Sequence, residues 1–390
     1  MKVTHVIESI APQFGGPPSV VMHLAAAQAA LGADVEVVTY RDADNQYWLS
    51  EWRHQIPLLQ NLPLREIERG WRFTAGIRRD FRALHDGTDI MHVHGIWRSL
   101  AWHALSTRLA GRAATVLAPH GMLSPWALKH NGIRKKLAMR AVWRRMIAAA
   151  DVMHAVSLGE VDEIKECISS AQIALIPNGV AIMELIEDAG ETTASGPDSS
   201  AAGSYVLYVA RLHEMKGPDL LIDAFAEVVK GNDQCSGLRL IMAGPDFGEL
   251  AALKARVRRL RIEHRVHFPG PVYDKVKRDL YRGATLVCQP SRYEAFSLSL
   301  LEALGAGIPV LTTPEANFPE VHTCGAGIIC NGESRELAKH MRRLLLQPEL
   351  RESMGQQGRA LVQNHYTWER VAIGAIKVYG DLLEARKRSN

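Results

Sequence analysis

The chain has 390 residues, with Lys+Arg 46 against Asp+Glu 42 and a formal net charge of +4. Hydrophobic residues are 47% and charged residues 23%, which excludes wholesale disorder, and at about 100–200 residues per domain the length points to two domains or about three small ones. No run approaches the ~18 uninterrupted apolar residues of a membrane helix, and so small an excess of positive charge does not by itself imply a nucleic-acid partner, so none is expected. The opening residues MKVTHVIES alternate polar with apolar and read as a first strand, not an export signal. Five cysteines without a C-x-x-C pair argue against a disulfide framework or zinc site and for a reducing, cytoplasmic setting.

In chain order, residues 3–8 read as a strand and residues 10–18 as a Gly/Pro loop, with Ser19 as cap of a helix ending near Leu31 and Gly32. Further strands are expected at 35–40, 89–94, 115–119, 151–156 and 173–177. Residues 187–204, EDAGETTASGPDSSAAGS, hold no buried-type residue and read as a flexible linker. The alternation then restarts: strand 205–210, helix 218–230, strand 238–243, helix 249–260, strands 266–268 and 285–289. This gives an α/β chain of two doubly wound parallel-sheet domains, 1–186 and 205–366, with a last helix at about 367–388 that can pack on either domain, packing back on the first being one arrangement. In such sheets ligands sit at the carboxyl ends of the strands.

The sharpest motif is Pro290-Ser291-Arg292-Tyr293-Glu294-Ala295-Phe296-Ser297-Leu298-Ser299-Leu300-Leu301-Glu302-Ala303. Were it helical throughout, Glu294 and Glu302 would stand about 12 Å apart near one face, a spacing that lets two carboxylates reach the two ends of a nucleotide sugar. The backbone N–H groups of Phe296, Ser297 and Leu298 would lie at a helix start, where unpaired donors favour anions. Taken alone, the spacing is better read as an amphipathic helix with two solvated glutamates. Arg211 and Lys216 leave one loop; two fixed cations can neutralise a diphosphate leaving group without a metal, and a solvated basic turn is the plain alternative.

Taken together, these segments resemble the retaining glycosyltransferases of family 4, which have two facing Rossmann-like domains around a cleft, the GT-B architecture. The likeness runs through Phe14-Gly15-Gly16, His92-Val93-His94-Gly95, Pro119-His120-Gly121, Ala155-Val156-Ser157, Ile176-Pro177-Asn178-Gly179-Val180, Arg211…Lys216-Gly217 and Ala243-Gly244-Pro245. It continues through the two glutamates, Gly307-Ile308-Pro309-Val310 and Tyr366-Thr367-Trp368-Glu369-Arg370. The resemblance implies that Arg211 and Lys216 bind the donor diphosphate, Glu302 the ribose, and Glu294 the transferred sugar with the N–H groups after it. It also implies that Gly15 and Gly16 bring backbone close to the donor, that His120 contacts the sugar near its reacting carbon, and that the backbone near Val272 holds the base. Ala295 stands where the family usually has Gly, which narrows the loop's backbone freedom.

Other features compete for attention. Asp42-Ala43-Asp44 is a D-x-D that reads as a solvated loop rather than a metal pair. His92 and His94 share one face of a strand and read as cleft lining. Trp97, Trp102, Trp126 and Trp143 suit a sugar platform or, more simply, core. Residues 133–148 carry Arg134, Lys135, Lys136, Arg140, Arg144 and Arg145 without an acid, a composition fitting an anionic membrane surface or an ordinary surface helix. The expectation is a metal-independent, cofactor-free retaining glycosyltransferase. It would move a hexose from GDP-mannose or a UDP-hexose to a saccharide acceptor, lipid-linked, in cell-surface polysaccharide synthesis at the cytoplasmic face of the membrane. A nucleotide-sugar epimerase of the same fold and a non-catalytic sugar-nucleotide-binding protein are the alternatives; an NAD-binding enzyme is disfavoured because no G-x-G-x-x-G follows a strand.

Overall fold

Runs such as Val206–Tyr208 are apolar on both sides of the pleat, which suits strands covered on both faces by helices. The computed structural model describes residues 1–68, 75–107, 112–129, 143–181, 204–230, 235 and 237–389. Most of the expected linker (187–203) and residues 133–142 of the basic segment lie outside the described residues. The chain divides into two compact units, Met1–Gly179 with Trp368–Asn390, and Val180–Thr367.

The first unit holds strands β1 (Lys2–Val6), β2 (Asp34–Tyr40), β3 (Leu64–Ile67), β4 (Ile90–His94), β5 (Ala114–Ala118), β6 (Val152–Ala155) and β7 (Ile173–Leu175). They form one sheet in the order β3-β2-β1-β4-β5-β6-β7, with parallel pairing throughout. The order reverses between β1 and β4, where Val3 faces Ile90 and His5 faces His92. Its core joins Val6, Met91, Val93, Leu117 and Met153 of the sheet to Phe81, Leu100 and Ile164 of the covering helices. The helix Trp368–Ser389 packs against the helix Gly16–Ala30.

The second unit holds β8 (Tyr205–Val209), β9 (Arg239–Ala243), β10 (Val266–Gly270), β11 (Leu286–Gln289), β12 (Val310–Thr312) and β13 (Gly327–Ile329). Their order is β10-β9-β8-β11-β12-β13, again parallel, with the reversal between β8 and β11. Successive residues point to opposite faces, so each face has its own core. Val206, Tyr208 and Met242 pack with Phe225 and Met341, while Leu207, Val287 and Val310 pack with Leu301, Leu304 and Val362. Among the described residues no helix is long and apolar enough to cross a membrane.

The sequence reading needs correction at two points. Ser19 does not cap the first helix. That helix starts at Gly16 behind an N-cap Gly15 at φ 98, with prolines in its first turn, where a missing N–H leaves no bond unmade. Three strands, β3, β12 and β13, were not foreseen. They are three or four residues long and lie at or next to sheet edges, too short for a periodicity to show.

Candidate functional site

Because β8 and β11 are neighbours, the loops leaving their carboxyl ends meet. Gly217, at φ 64, marks the contact: a Cβ there would lie 1.9 Å from the Pro290 carbonyl oxygen, so only glycine fits. Lys216 ends a short turn, Glu214–Lys216, whose N-cap His213 accepts from the Met215 N–H. Arg292 ties the second loop to the first. Its backbone N–H donates to Met215 O at 2.8 Å, and its guanidinium grips both Asp219 oxygens at 2.8 and 2.7 Å and the Glu214 carbonyl.

Held this way, the Lys216 ammonium pairs directly with the Glu294 carboxylate. Both are buried, at 9% and 6% exposure. Burial pulls the Lys216 pKa down, against the opposing pull of Glu294. The other Glu294 oxygen accepts from Gln289 Nε2 at 2.6 Å and Ser291 Oγ at 3.1 Å. Glu294 is fixed at its backbone as well: its N–H donates to Glu315 O, and its carbonyl accepts from Asn317 Nδ2. Arg211 has its guanidinium 5.2 Å over the Phe247 ring and no ion-pair partner among the described residues. The result is a buried, satisfied ion pair beside an uncommitted cation, at the point where the strand order reverses.

Glu294 and Glu302 do not share a helix face. The helix runs only over Leu298–Gly305, with Ser297 extended as its N-cap (φ −88, ψ 104) and accepting from the Leu300 N–H; Glu294 lies in the loop before it. Phe296, Ser297 and Leu298 stand at the helix start as expected. Phe296 packs on Phe318 and Tyr366. Glu302 accepts from Lys277 Nζ at 2.5 Å and Tyr281 OH at 2.9 Å. Val272 lies in the loop after β10, half-buried. The sequence reading missed Gln289, whose amide serves both Glu294 and the Ser297 and Ser299 hydroxyls; a buried polar residue closing an apolar strand was its only signal. Nothing in the motif spacing pointed to Lys277, Tyr281 or the Arg292–Asp219 lock.

In the first unit, Gly15 and Gly16 open the helix after β1, and His120 follows β5 with φ 52, a left-handed conformation uncommon for a non-glycine residue. The neighbouring Gly121 N–H donates to Glu160 Oε1 at 2.5 Å, and Glu160 Oε2 accepts from Val156 N at 2.8 Å. Burial raises the Glu160 pKa. His120 Nε2 lies 3.0 Å from His94 Nδ1.

The cleft-lining expectation for His92 and His94 fails: they are 0% and 4% exposed. With His5 on the next strand they place ligand nitrogens within 4.8 Å of one another. Trp143 is buried and packs with Trp97 and Trp102, so these rings are core, while Trp126 is half-buried. Asp42 is no solvated loop residue. It is the N-cap of the helix Ala43–Gln55, accepting from the Asn45 N–H at 2.8 Å, and Asp44 accepts from Gln13. Of the basic segment, Arg144 and Arg145 are exposed at the start of the helix Arg144–Ala148.

Two family models match the chain: Glycosyltransferase Family 4 over residues 14–183 and Glycosyl transferases group 1 over residues 198–361. The GDP-mannose:cellobiosyl-diphosphopolyprenol alpha-mannosyltransferase of Xanthomonas oryzae pv. oryzae is 26% identical over 87% of this chain and 85% of that protein. The D-inositol 3-phosphate glycosyltransferase of Kineococcus radiotolerans is 26% identical over 95% and 92%. Among solved structures, Anabaena HepE in complex with UDP and glucose matches with a TM-score of 0.75, at 19% identity over 98% of this chain and 100% of that one. Sucrose-phosphate synthase from Thermosynechococcus elongatus matches with a TM-score of 0.77, at 22% identity over 99% and 100%.

Proposed function

The chain belongs to the group 1, family 4 glycosyltransferases of GT-B fold, and from that premise we propose that it transfers a hexose, with retention and without a metal, from a nucleotide sugar to a saccharide acceptor. The observation that carries this reading is the buried Lys216–Glu294 pair with Arg211 beside it at the reversal between β8 and β11, where doubly wound sheets bind their ligands.

A nucleoside diphosphate leaves with negative charge growing on its terminal phosphate. Lys216, buried and held by Glu294, and Arg211 beside it supply positive charge already in position, which needs little reorganisation as the bond breaks. Glu294 keeps the Lys216 ammonium charged against its burial and presents its carboxylate to the transferred sugar. The N–H groups at the helix start after Ser297 add to the anion field. Glu302, set by Lys277 and Tyr281, receives the ribose hydroxyls, and the backbone near Val272 the base. In the first unit we assign His120 to the transferred sugar and the Gly15–Gly16 turn to a close backbone approach to the donor, the roles that the family resemblance implies. The acceptor hydroxyl then attacks from the face the diphosphate leaves, passing its proton to the departing phosphate. Asp42 and Asp44, the D-x-D that would suggest a metal, are committed to a helix cap and to Gln13, which supports cation-driven chemistry.

The name of the Xanthomonas relative supports GDP-mannose as donor and a polyprenyl-diphosphate-linked saccharide as acceptor; a UDP-hexose donor and a place in cell-surface polysaccharide assembly belong to the same proposal. The deciding experiment has two stages. A thermal-shift screen against UDP-, GDP-, ADP- and TDP-sugars finds the donor, since a specific ligand at a hundredfold excess over its Kd adds about 2.7 kcal/mol. Donor-saturation kinetics then separate the two glutamates. Glu302→Gln should raise the donor KM, because ribose binding is uniform along the reaction. Glu294→Gln should lower kcat by about 10²–10³, because its contact strengthens as charge develops. Near wild-type kcat/KM in both variants would refute the assignment, and sugar interconversion with donor alone would make the protein an epimerase.

A further inference from the structure

Five histidines of the first unit join Gln28 and Tyr379 in one unbroken series of contacts. His120 Nε2 meets His94 Nδ1 at 3.0 Å; His94 Nε2 meets His5 Nδ1 at 2.9 Å; His5 Nε2 meets Gln28 Oε1 at 2.8 Å. Gln28 Nε2 donates to Tyr379 OH at 3.2 Å, Tyr379 OH meets His92 Nδ1 at 2.7 Å, and His92 Nε2 meets His154 Nδ1 at 3.1 Å. The series ends where His154 Nε2 meets the Ile176 carbonyl at 2.7 Å. His5, His92 and His94 have the spacing of a metal trio, but both nitrogens of each ring already have a protein partner.

The end point determines every proton. A carbonyl only accepts, so His154 carries hydrogen on Nε2. A neutral ring then has a bare Nδ1, which takes the Nε2–H of His92. His92 Nδ1 is in turn bare and takes the Tyr379 O–H, leaving the Tyr379 oxygen to accept from the Gln28 amide. The Gln28 oxygen takes the His5 Nε2–H, His5 Nδ1 takes the His94 Nε2–H, and His94 Nδ1 takes the His120 Nε2–H. The reverse direction requires a flipped Gln28 amide and a second hydrogen on His154, which would make that ring a buried cation. Burial holds His5 and His154 down to about 4 and His92 and His94 well below the usual histidine range. Among the described residues, the groups hydrogen-bonded to these rings are one another, Gln28, Tyr379 and the Ile176 carbonyl; Glu160 binds the Gly121 N–H next to His120.

We propose that this directional series fixes His120 as the Nε2–H tautomer with a bare Nδ1, so that the ring presents an acceptor, taking a hydroxyl of the transferred sugar and turning away a phosphate oxygen. Gln28, Tyr379, His92, His94, His5 and His154 are positioning residues for His120. The ligand half of this inference rests on the glycosyltransferase reading; the tautomer half does not.

The test is a long-range ¹H–¹⁵N spectrum of the intact protein labelled in its histidine rings at pH 7, with signals assigned by single histidine replacements. All five rings should be neutral, with hydrogen on Nε2 and Nδ1 bare. Hydrogen on Nδ1 of His120, His94 or His5 would overturn the proposal. Tyr379→Phe removes the group that orients the Gln28 amide. His154 and His92 should keep their tautomer, while His5, His94 and His120 become mixtures and donor affinity falls about twofold for an even mixture. Unchanged tautomers in that variant would also overturn it. The assigned tautomers in a protein that binds no sugar nucleotide would support the series and sink the function proposed above.

Discussion

Lowering the pH from 7.5 to 4.5 should unfold the first unit before the second. His5, His92, His94 and His154 are at most 4% exposed, and burial, reinforced at His5, His92 and His94 by repulsion from neighbouring histidines when charged, depresses their pKa values, to about 4 for His5 and His154. A group whose folded pKa lies below its unfolded value makes the unfolded chain the better proton binder, so stability is lost as pH falls below about 6.5. Each such histidine removes about 1.4 kcal/mol per pH unit in that window. Four together remove about 5 kcal/mol per unit, and by pH 5 about 8 kcal/mol has gone. A domain's whole stability is about 5–15 kcal/mol, which places the transition at about pH 5.5–4.5. Glu160 works the other way, its raised pKa relieving a burial penalty in acid, but it is one group against four.

The sequence supplies the assay. All eight tryptophans, at positions 48, 52, 71, 97, 102, 126, 143 and 368, fall within the first unit, so tryptophan fluorescence reports that unit alone while far-UV circular dichroism reports both. In the second unit burial opposes ionisation of Asp219, but the Arg292 guanidinium outweighs it and holds its pKa low; that contribution is present above the usual carboxylate range and disappears only below about pH 4. Fluorescence should therefore change while part of the helical signal persists. Fluorescence unchanged at pH 4.5, or a transition taking up fewer than about two protons, would refute the buried neutral cluster.

Lys216→Ala leaves the Glu294 carboxylate buried without its cation and should destabilise the second unit by about 3–5 kcal/mol, read as an earlier urea midpoint by circular dichroism with the fluorescence transition unmoved. Turnover should survive EDTA; activity lost in chelator and restored by Mg²⁺ or Mn²⁺ would overturn the role given to Arg211 and Lys216. Asp42→Ala should cost about 1 kcal/mol through the lost helix cap and leave kcat unchanged, whereas a metal ligand there would abolish turnover. Flotation with anionic vesicles should be salt-dependent and weaker for Arg144→Glu/Arg145→Glu; equal recovery of both proteins would remove this basic stretch from any membrane role.

Most long strands were legible because a strand covered on both faces is largely apolar, and the run at 205–210 has that composition throughout while those at 35–40 and 285–289 are broken only by Glu36 and Thr39 and by Thr285 and Gln289. Sheet order was not legible. It depends on which strands pair, and pairing is what turns separate motifs into a site. Lys216 and Glu294 are far apart in sequence and were assigned to different parts of a donor. The adjacency of β8 and β11 instead brings them together as a buried pair, and the glycine that allows the approach, Gly217, is intelligible only once Pro290 is known to be opposite. The E-x7-E spacing likewise reads as a helical face until the extended Ser297 starts the helix later than the spacing assumes. The histidines show the limit most clearly. His5 and His154 carry no motif signal and look like isolated core residues, and His92 and His94 invite a cleft or metal reading. Only register, setting His5 opposite His92, and the return of the last helix, setting Tyr379 on both Gln28 and His92, convert four unremarkable side chains into a series with one direction. That direction is a property of the hydrogen-bond geometry as a whole, and no single residue within it carries the information.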